Sequence, residues 1–320
     1  MTLYDYEPTP DRICDDVVRG LTRRPRTLPP KYFYDEKGAR IFEQITELEA
    51  YYPTRTEISI LRAHAAEMAE RVGRNVRLVE FGSGSGDKTW LILEHLVAPA
   101  AYIPVDISRA QLVDFAIRVS EAFPNLRVEA VCADYTAEYE LPDDVPASRS
   151  VAFFPGSTIG NFEPGEAETF LGRVRRLVGP NGGLLLGVDL RKDPGVIELA
   201  YNDPQGVTAE FNLNLLRRIN RECYADFDLD GFRHNAFFDD EASRIEMRLV
   251  SERRQAVRVG GGPEDGAALE VEFHQGDHIT TEYSHKYDLL RFAGMADAAG
   301  WRITDTWTDE REWFAVLLLE

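Results

Sequence analysis

Short apolar runs, several closed by glycine or an acidic residue, alternate along most of this chain with stretches whose apolar positions recur at helical spacing. Val76–Phe81, Ala101–Val105, Arg127–Cys132, Ser150–Phe154 and Gly183–Leu190 read as strands. Thr89–Leu96, Arg109–Phe123 and Pro164–Val178 read as the helices between them, the last with proline near its start and Gly179 past its end. Such alternation predicts βαβ units, and so an α/β fold with a parallel sheet and right-handed crossovers. Ahead of it, Ala39–Thr46 and Ile58–Ala69 have helical periodicity, whereas Leu28–Asp35 and Ala50–Glu57, with prolines and clustered aromatics, predict a covering segment without regular structure. Between about 195 and 285 the pattern changes to two helices, Val196–Tyr201 and Thr208–Tyr224, and then to Arg244–Ser251, Ala256–Val259, Ala268–Phe273 and His278–Tyr287 as antiparallel strands. A glycine- and acid-rich turn, Gly260–Gly266, interrupts them. Helix Leu289–Ala299 and strands Trp301–Trp307 and Trp313–Leu319 then return to the first theme. We therefore expect residues 61–194 plus 288–320 to form one domain around the sheet, and 1–60 plus 195–287 a second, α+β domain.

The densest chemistry follows the first strand: Glu80-Phe81-Gly82-Ser83-Gly84-Ser85-Gly86-Asp87-Lys88-Thr89. Alternate glycines let a ligand approach the backbone, and a helix starting near Asp87 aims free N–H groups toward it. A dinucleotide fingerprint needs its third glycine at the sixth position counted from Gly82, which is Asp87. A phosphate-binding loop needs glycine directly before Lys88-Thr89, and Asp87 stands there too. What remains, acidic-x-Gly-x-Gly-x-Gly, fits a nucleoside-like cofactor, and also an ordinary strand-to-helix turn.

Charge narrows the ligand. With 36 basic against 55 acidic residues the formal net charge is −19, which repels phosphate backbones and anionic lipid and points to a small-molecule substrate, with no nucleic acid or membrane partner. No apolar run approaches the roughly 18 residues of a membrane span, and the amino terminus lacks a signal-type apolar stretch, so a cytoplasmic protein is expected. Cys14, Cys132 and Cys223 are far apart and odd in number, which predicts no disulfide framework; neither they nor the six histidines have metal-site spacing.

In a doubly wound sheet, ligands meet the carboxyl ends of the strands. Asp106 closes the second strand, where an acid meets ribose hydroxyls, and Asp134-Tyr135 follow the third, where they can meet an adenine amino group and ring face. Taken singly, each acid also fits a turn or helix cap. Phe154-Pro155-Gly156-Ser157-Thr158-Ile159-Gly160-Asn161 is placed for a substrate loop, where the Asn161 amide offers donor and acceptor, though a loop asparagine needs no function. Along Ile279–Tyr287, strict alternation puts Thr280, Glu282, Ser284 and Lys286 on one face, either solvated or the floor of a polar pocket.

Five segments together carry a resemblance: Tyr51-Tyr-Pro-Thr-Arg-Thr-Glu57, the glycine turn, Gly156–Asn161, Gly206-Val-Thr-Ala-Glu-Phe-Asn212 and Thr281-Glu-Tyr-Ser284. The chain resembles, over nearly its whole length, the histidine-specific N-alpha-methyltransferases of ergothioneine biosynthesis. The glycine turn is generic to methyltransferases; the other segments are more specific. The resemblance implies a Rossmann-like class I methyltransferase sheet with a second α+β substrate-binding domain, S-adenosylmethionine as cofactor, and L-histidine with its mono- and dimethylated forms as substrates. It implies that Gly82, Lys88, Asp106, Asp134 and Tyr135 hold the cofactor. It further implies that Asn161 and Tyr201 grip the histidine carboxylate, that Gly156, Thr158 and Tyr34 lie near the amino group, and that Tyr51, Glu282 and Ser284 read the imidazole, with Met247 and Phe42 lining the pocket. Tyr34 and Asn161 are thus the candidate catalytic residues. Two alternatives stay open: an N-methyltransferase of another aromatic amino acid or amine, and a cofactor-binding regulator without turnover.

Overall fold

The structure, a computed structural model, describes residues 1–6, 13–82, 84, 86–142, 146–262 and 268–320. Ser83 and Ser85 of the glycine turn and residues 263–266 of the Gly260–Gly266 turn lie outside the described residues. The chain divides into two compact units, one of Met1–Pro10, Pro53–Arg191 and Tyr287–Glu320, the other of Asp11–Tyr52 and Lys192–Lys286.

The first unit is built on eight strands: β1 (Thr2–Asp5), β2 (Val76–Phe81), β3 (Ala101–Asp106), β4 (Glu129–Cys132), β5 (Arg149–Phe154), β6 (Gly183–Asp189), β12 (Ile303–Thr308) and β13 (Phe314–Leu319), elements being numbered in chain order. They lie in the order β1-β4-β3-β2-β5-β6-β13-β12. β1 through β6 pair in parallel, and β13 joins β6 and β12 antiparallel. Helices α3 (Tyr52–Val72), α4 (Asp87–Leu93), α5 (Arg109–Ala122), α6 (Pro164–Val178) and α9 (Leu289–Ala298) complete the unit. Side chains alternate between two cores: Leu78 of β2 packs with Met68, Leu93 and Phe115 from α3, α4 and α5, while its neighbour Val79 packs with Phe170 and Phe292 from α6 and α9. Both faces of the sheet are therefore covered, which is why β6 is a continuous apolar run buried at every residue. This is the expected Rossmann-like α/β architecture.

Strand order reverses at β2, which has β3 on one side and β5 on the other. The turn after β2 and the Pro155–Asn161 loop after β5 thus leave the sheet side by side, where open α/β sheets bind ligands. Gly82, Gly84 and Gly86 have φ of 69°, 51° and 87°, a left-handed backbone that disfavours any side chain.

In the second unit, α1 (Ile13–Thr22), α2 (Glu36–Glu47), α7 (Pro194–Tyr201) and α8 (Val207–Glu222) accompany β7 (Phe232–Asp239), β8 (Arg244–Ser251), β9 (Gln255–Val259), β10 (Leu269–Phe273) and β11 (His278–His285). The strands form a β11-β8-β7 sheet and a β10-β9 hairpin.

Several expectations need correction. Ala50–Glu57 is not irregular throughout: α3 starts at Tyr52, with Pro53 in its first turn, where a missing N–H breaks no helical bond. Residues 1–60 do not stay together, since Thr2–Asp5 pairs with β4 and the chain from Pro53 belongs with the large sheet. β7 escaped notice because Arg233, His234 and Asn235 interrupt its apolar alternation. Cys14 and Cys223, 209 residues apart, form a disulfide with a Cα–Cα distance of 5.3 Å, because α1 packs on α8 near its end; Cys132 alone is free and buried. Among the described residues, no helix is long and apolar enough to cross a membrane, and no cluster of three or more metal-type side chains occurs.

A Cβ on Gly86 would stand 2.2 Å from Cε2 of Phe115, on a backbone already left-handed. Gly86→Ala is therefore expected to cost about 2–4 kcal/mol, measured as a lowered urea midpoint with unchanged slope.

Candidate active site

In the first unit, buried carboxylates organise the loops. Glu80, 1% exposed, turns away from the glycine turn; Thr89 donates to both its oxygens at 2.8 Å and the Tyr102 hydroxyl at 2.5 Å, joining β2 to α4 and β3. Burial raises its carboxyl to about 7, against the opposing pull of those donors. The motif's acid is thus a brace under the turn. Glu57 on α3, equally buried, accepts the Gly156 N–H at 2.9 Å on both oxygens and pairs with Lys88 Nζ at 2.5 Å. One side chain thereby fixes both loops at the strand-order reversal. Lys88, expected beside the cofactor's carboxylate, is committed first to Glu57.

The expected cofactor residues follow in strand order. Gly82 donates its N–H to Val105 O at 2.9 Å, and a Cβ there would meet nothing within 4 Å, so the turn opens onto free space. Asp106 Oδ1 accepts from Ser108 N at 2.8 Å, and burial raises its carboxyl. Asp134 Oδ1 accepts from the N–H and hydroxyl of Thr136 at 2.8 and 2.6 Å. Each acid is held rigid by its own turn, so the capping and ligand readings coexist in one geometry. Tyr135, half-buried, lies 5.8–6.2 Å from the rings of Phe81, Phe154 and Phe170, and burial raises its phenol. After β5, Gly156 and Ser157 have φ of 83° and 55°; Ser157 Oγ accepts from Asp189 N at 2.9 Å, and Thr158 donates to Pro155 O at 3.1 Å. Asn161 ends the following 3-10 turn, half-buried, its amide bonded to no described residue. Two polar side chains anchored at strand ends, an open glycine turn and a half-buried aromatic ring suit a nucleoside bearing a charged tail.

In the second unit, the expected acceptor residues gather around aromatic rings. Phe42 on α2 lies 5.5 Å from Tyr34 and 6.3 Å from Tyr51, both edge-on, and Tyr51 lies 6.1 Å from Tyr201, the last residue of α7. Tyr201 donates to Ser284 Oγ at 2.8 Å, and the buried Lys286 ammonium donates to both, at 2.8 Å to Ser284 and 3.1 Å to Tyr201. Tyr201 was expected at a carboxylate; in this geometry its hydroxyl sits with Ser284.

Strand β11 departs from strict alternation. Thr280 pairs with Arg248, but Glu282 pairs with Met247, so Thr281 is an extra residue and the register shifts. Thr280 therefore faces the opposite side from Glu282 and Ser284, correcting the four-residue polar face, while Met247 lies directly across from Glu282. A buried network holds this bulge: Thr281 Oγ1 donates to Asn212 Oδ1 at 2.8 Å and to Met247 O at 3.1 Å. Asn212 Nδ2 in turn meets Arg248 O at 3.2 Å and His234 Nδ1 at 2.9 Å. His234 Nε2 lies 2.8 Å from Tyr201 O, which can only accept, so Nε2 carries the hydrogen and Nδ1 receives Asn212's; burial lowers the ring's pKa and keeps it neutral. Asp203, capping α8 through Val207 N and Thr208 N at 2.9 and 2.8 Å, fixes the helix that carries Asn212. Glu282 itself receives no hydrogen bond from any described residue; burial raises its carboxyl to about 7, with Lys286 pulling the other way.

The comparisons with known proteins agree with this architecture. The family model described as histidine-specific methyltransferase, SAM-dependent, matches residues 13–320. The chain belongs to this family. It is 41% identical to the histidine N-alpha-methyltransferase of Mycobacterium tuberculosis, over 95% of this chain and 93% of that one. It is also 41% identical to the enzyme of the same name from Mycolicibacterium smegmatis, over 92% and 90%. A more distant relative, the 4-dimethylallyltryptophan N-methyltransferase of Aspergillus fumigatus, is 28% identical over 92% and 91%. A family member is thus an S-adenosylmethionine-dependent methyltransferase.

Sequence reasoning missed Glu57, Asn212 and His234 as organisers of the site. Glu57 and Asn212 ended two of the motif segments without being given a role, and nothing short of the fold shows that their partners lie 99 and 69 residues away. Glu57→Gln leaves Lys88 without its counter-charge and is expected to cost about 3 kcal/mol in chemical denaturation, the scale of a broken buried pair.

Proposed function

We propose that the chain transfers methyl groups from S-adenosylmethionine to the α-amino group of L-histidine, three times, giving the trimethylated betaine hercynine of ergothioneine biosynthesis. One observation carries the choice of acceptor: a half-buried Glu282 carboxyl that no described residue satisfies, on the same sheet face as Ser284, whose hydroxyl is bonded to Tyr201 and Lys286. A half-buried carboxylate with no donor from the protein is open to one from a ligand, and an imidazole N–H supplies it. Among the rival aromatic acceptors, a purely apolar ring would leave it unpaired. The similarity to two proteins named histidine N-alpha-methyltransferase points the same way.

Bound S-adenosylmethionine supplies a methyl group already activated by its sulfonium charge. Gly82, Asp106, Asp134 and Tyr135 are the residues we assign to hold it, with Lys88 toward its carboxylate. What the remaining residues contribute is position: Asn161 holds the acceptor's carboxylate, Glu282 and Ser284 orient its ring, and Phe42 and Met247 exclude water. Orientation of this kind supplies up to about 7–11 kcal/mol of a barrier without an acid–base pair. Tyr34, its ring edge-on to Phe42 and Phe211, is assigned to orient the neutral amine, whose proton leaves to solvent.

Mass spectrometry of products from a panel of common amino acids tests the acceptor: histidine is expected to gain three methyl groups, and trimethylation of another amino acid in its place would refute the assignment. Tyr34→Phe is expected to slow turnover roughly tenfold, the worth of one hydrogen bond, and a folded but dead variant would make Tyr34 an obligatory base. Because Glu282 is protonated below about 7, kcat/KM for histidine should fall as pH drops through that value; Glu282→Gln should lower kcat/KM and flatten this acid limb.

A further inference from the structure

Lys286 has no role in the functional assignment above, yet it is 3% exposed and its ammonium donates to both hydroxyls of the acceptor cluster, Ser284 Oγ at 2.8 Å and Tyr201 OH at 3.1 Å. A buried lysine needs a reason, because its desolvation is costly unless hydrogen bonds and a counter-charge replace water. The counts at Ser284 supply one. A serine hydroxyl has one hydrogen and two lone pairs. Ser284 accepts from Lys286 and from Tyr201, the phenol being the more acidic of the two hydroxyls and so the better donor. Both lone pairs are then engaged, and its hydrogen is left to point elsewhere. Glu282, two residues back on the same face, is a carboxyl with acceptor capacity and no described donor.

We propose that Lys286 is a positioning residue which, together with Tyr201, fixes Ser284 as a hydrogen-bond donor, so that Ser284 and Glu282 read a neutral imidazole in a single tautomer. Ser284 meets the nitrogen that bears a lone pair, and Glu282 meets the N–H. An imidazolium, with two N–H groups, would set a donor against Ser284 and is rejected. The positive charge of Lys286 also favours the carboxylate form of Glu282 against the opposing effect of burial. Among the described residues, other titratable groups toward this face include Tyr201 from α7, Tyr51 beside it and His234 from β7, the last kept neutral by burial; Met247 opposite and Asn212 from α8 carry no charge.

This role rests on histidine being the acceptor, and the experiment separates the two. Histidine binding and steady-state methylation are measured across pH for the wild type and for Lys286→Met. The expected result is a KM for histidine raised about tenfold or more with kcat changed less than about threefold, the pattern of lost binding. The acid limb of kcat/KM should also move to higher pH. A folded Lys286→Met with wild-type KM and an unmoved limb overturns the Lys286 role alone. A wild type that neither binds nor methylates histidine overturns the acceptor assignment, and the Lys286 role with it. Should Lys286→Met fail to fold, Lys286→Gln, which keeps a donor but drops the charge, decides: an alkaline shift of the limb with a smaller rise in KM supports the proposal, and an unmoved limb refutes it.

Discussion

A carboxylate taken out of water must find donors, and that constraint shapes this molecule at three places. Glu80 is answered by Thr89 and Tyr102, and Glu57 by Gly156 and Lys88, so each fastens a loop or helix at the carboxyl edge of the sheet. Because these two are satisfied from within, they are structural. Glu282 is half-buried, and no described residue donates to it. By the same rule, Glu282 is the residue we propose to be completed by a donor from the ligand.

The two units use different devices. In the first, parallel strands run between two apolar cores, and reversal of strand order at β2 brings the turns after β2 and β5 together. Site residues there are set by backbone: positive φ at the glycines, Asx turns at Asp106 and Asp134. In the second, an extra residue at Thr281 turns the strand over, and Asn212, His234 and Asp203 secure it through buried polar contacts. Without the bulge, Glu282 and Ser284 would lie on the opposite sheet face.

Much of this was legible in the chain. Long apolar runs in β2, β3, β5 and β6 and the helices between them have unambiguous periods, so the α/β architecture followed from spacing. The glycine turn pointed to S-adenosylmethionine rather than a dinucleotide or a nucleoside triphosphate because Asp87 breaks both better-known fingerprints. What escaped was information that only folding creates. The bulge at Thr281 has no local signature, since Thr-Thr is ordinary strand sequence, and so the polar face of β11 was miscounted. Pro53 was read as a breaker although it stands in a helix's first turn, and β7 was hidden by its own Arg233, His234 and Asn235. The Cys14–Cys223 bond joins positions 209 residues apart. Lys286 was visible as a polar strand residue, but nothing in its neighbours announced that it is buried.

Family membership and geometry converge on a methyltransferase, and the acceptor assignment we propose rests on the demand of Glu282 for a donor. Calorimetric titration of histidine and of phenylalanine into protein saturated with S-adenosylhomocysteine tests this most directly. Histidine is expected to bind, and phenylalanine, which shares its backbone groups but offers Glu282 nothing, to bind at least about tenfold more weakly, in keeping with a lost charge-assisted hydrogen bond. Equal affinity for the two would contradict the account.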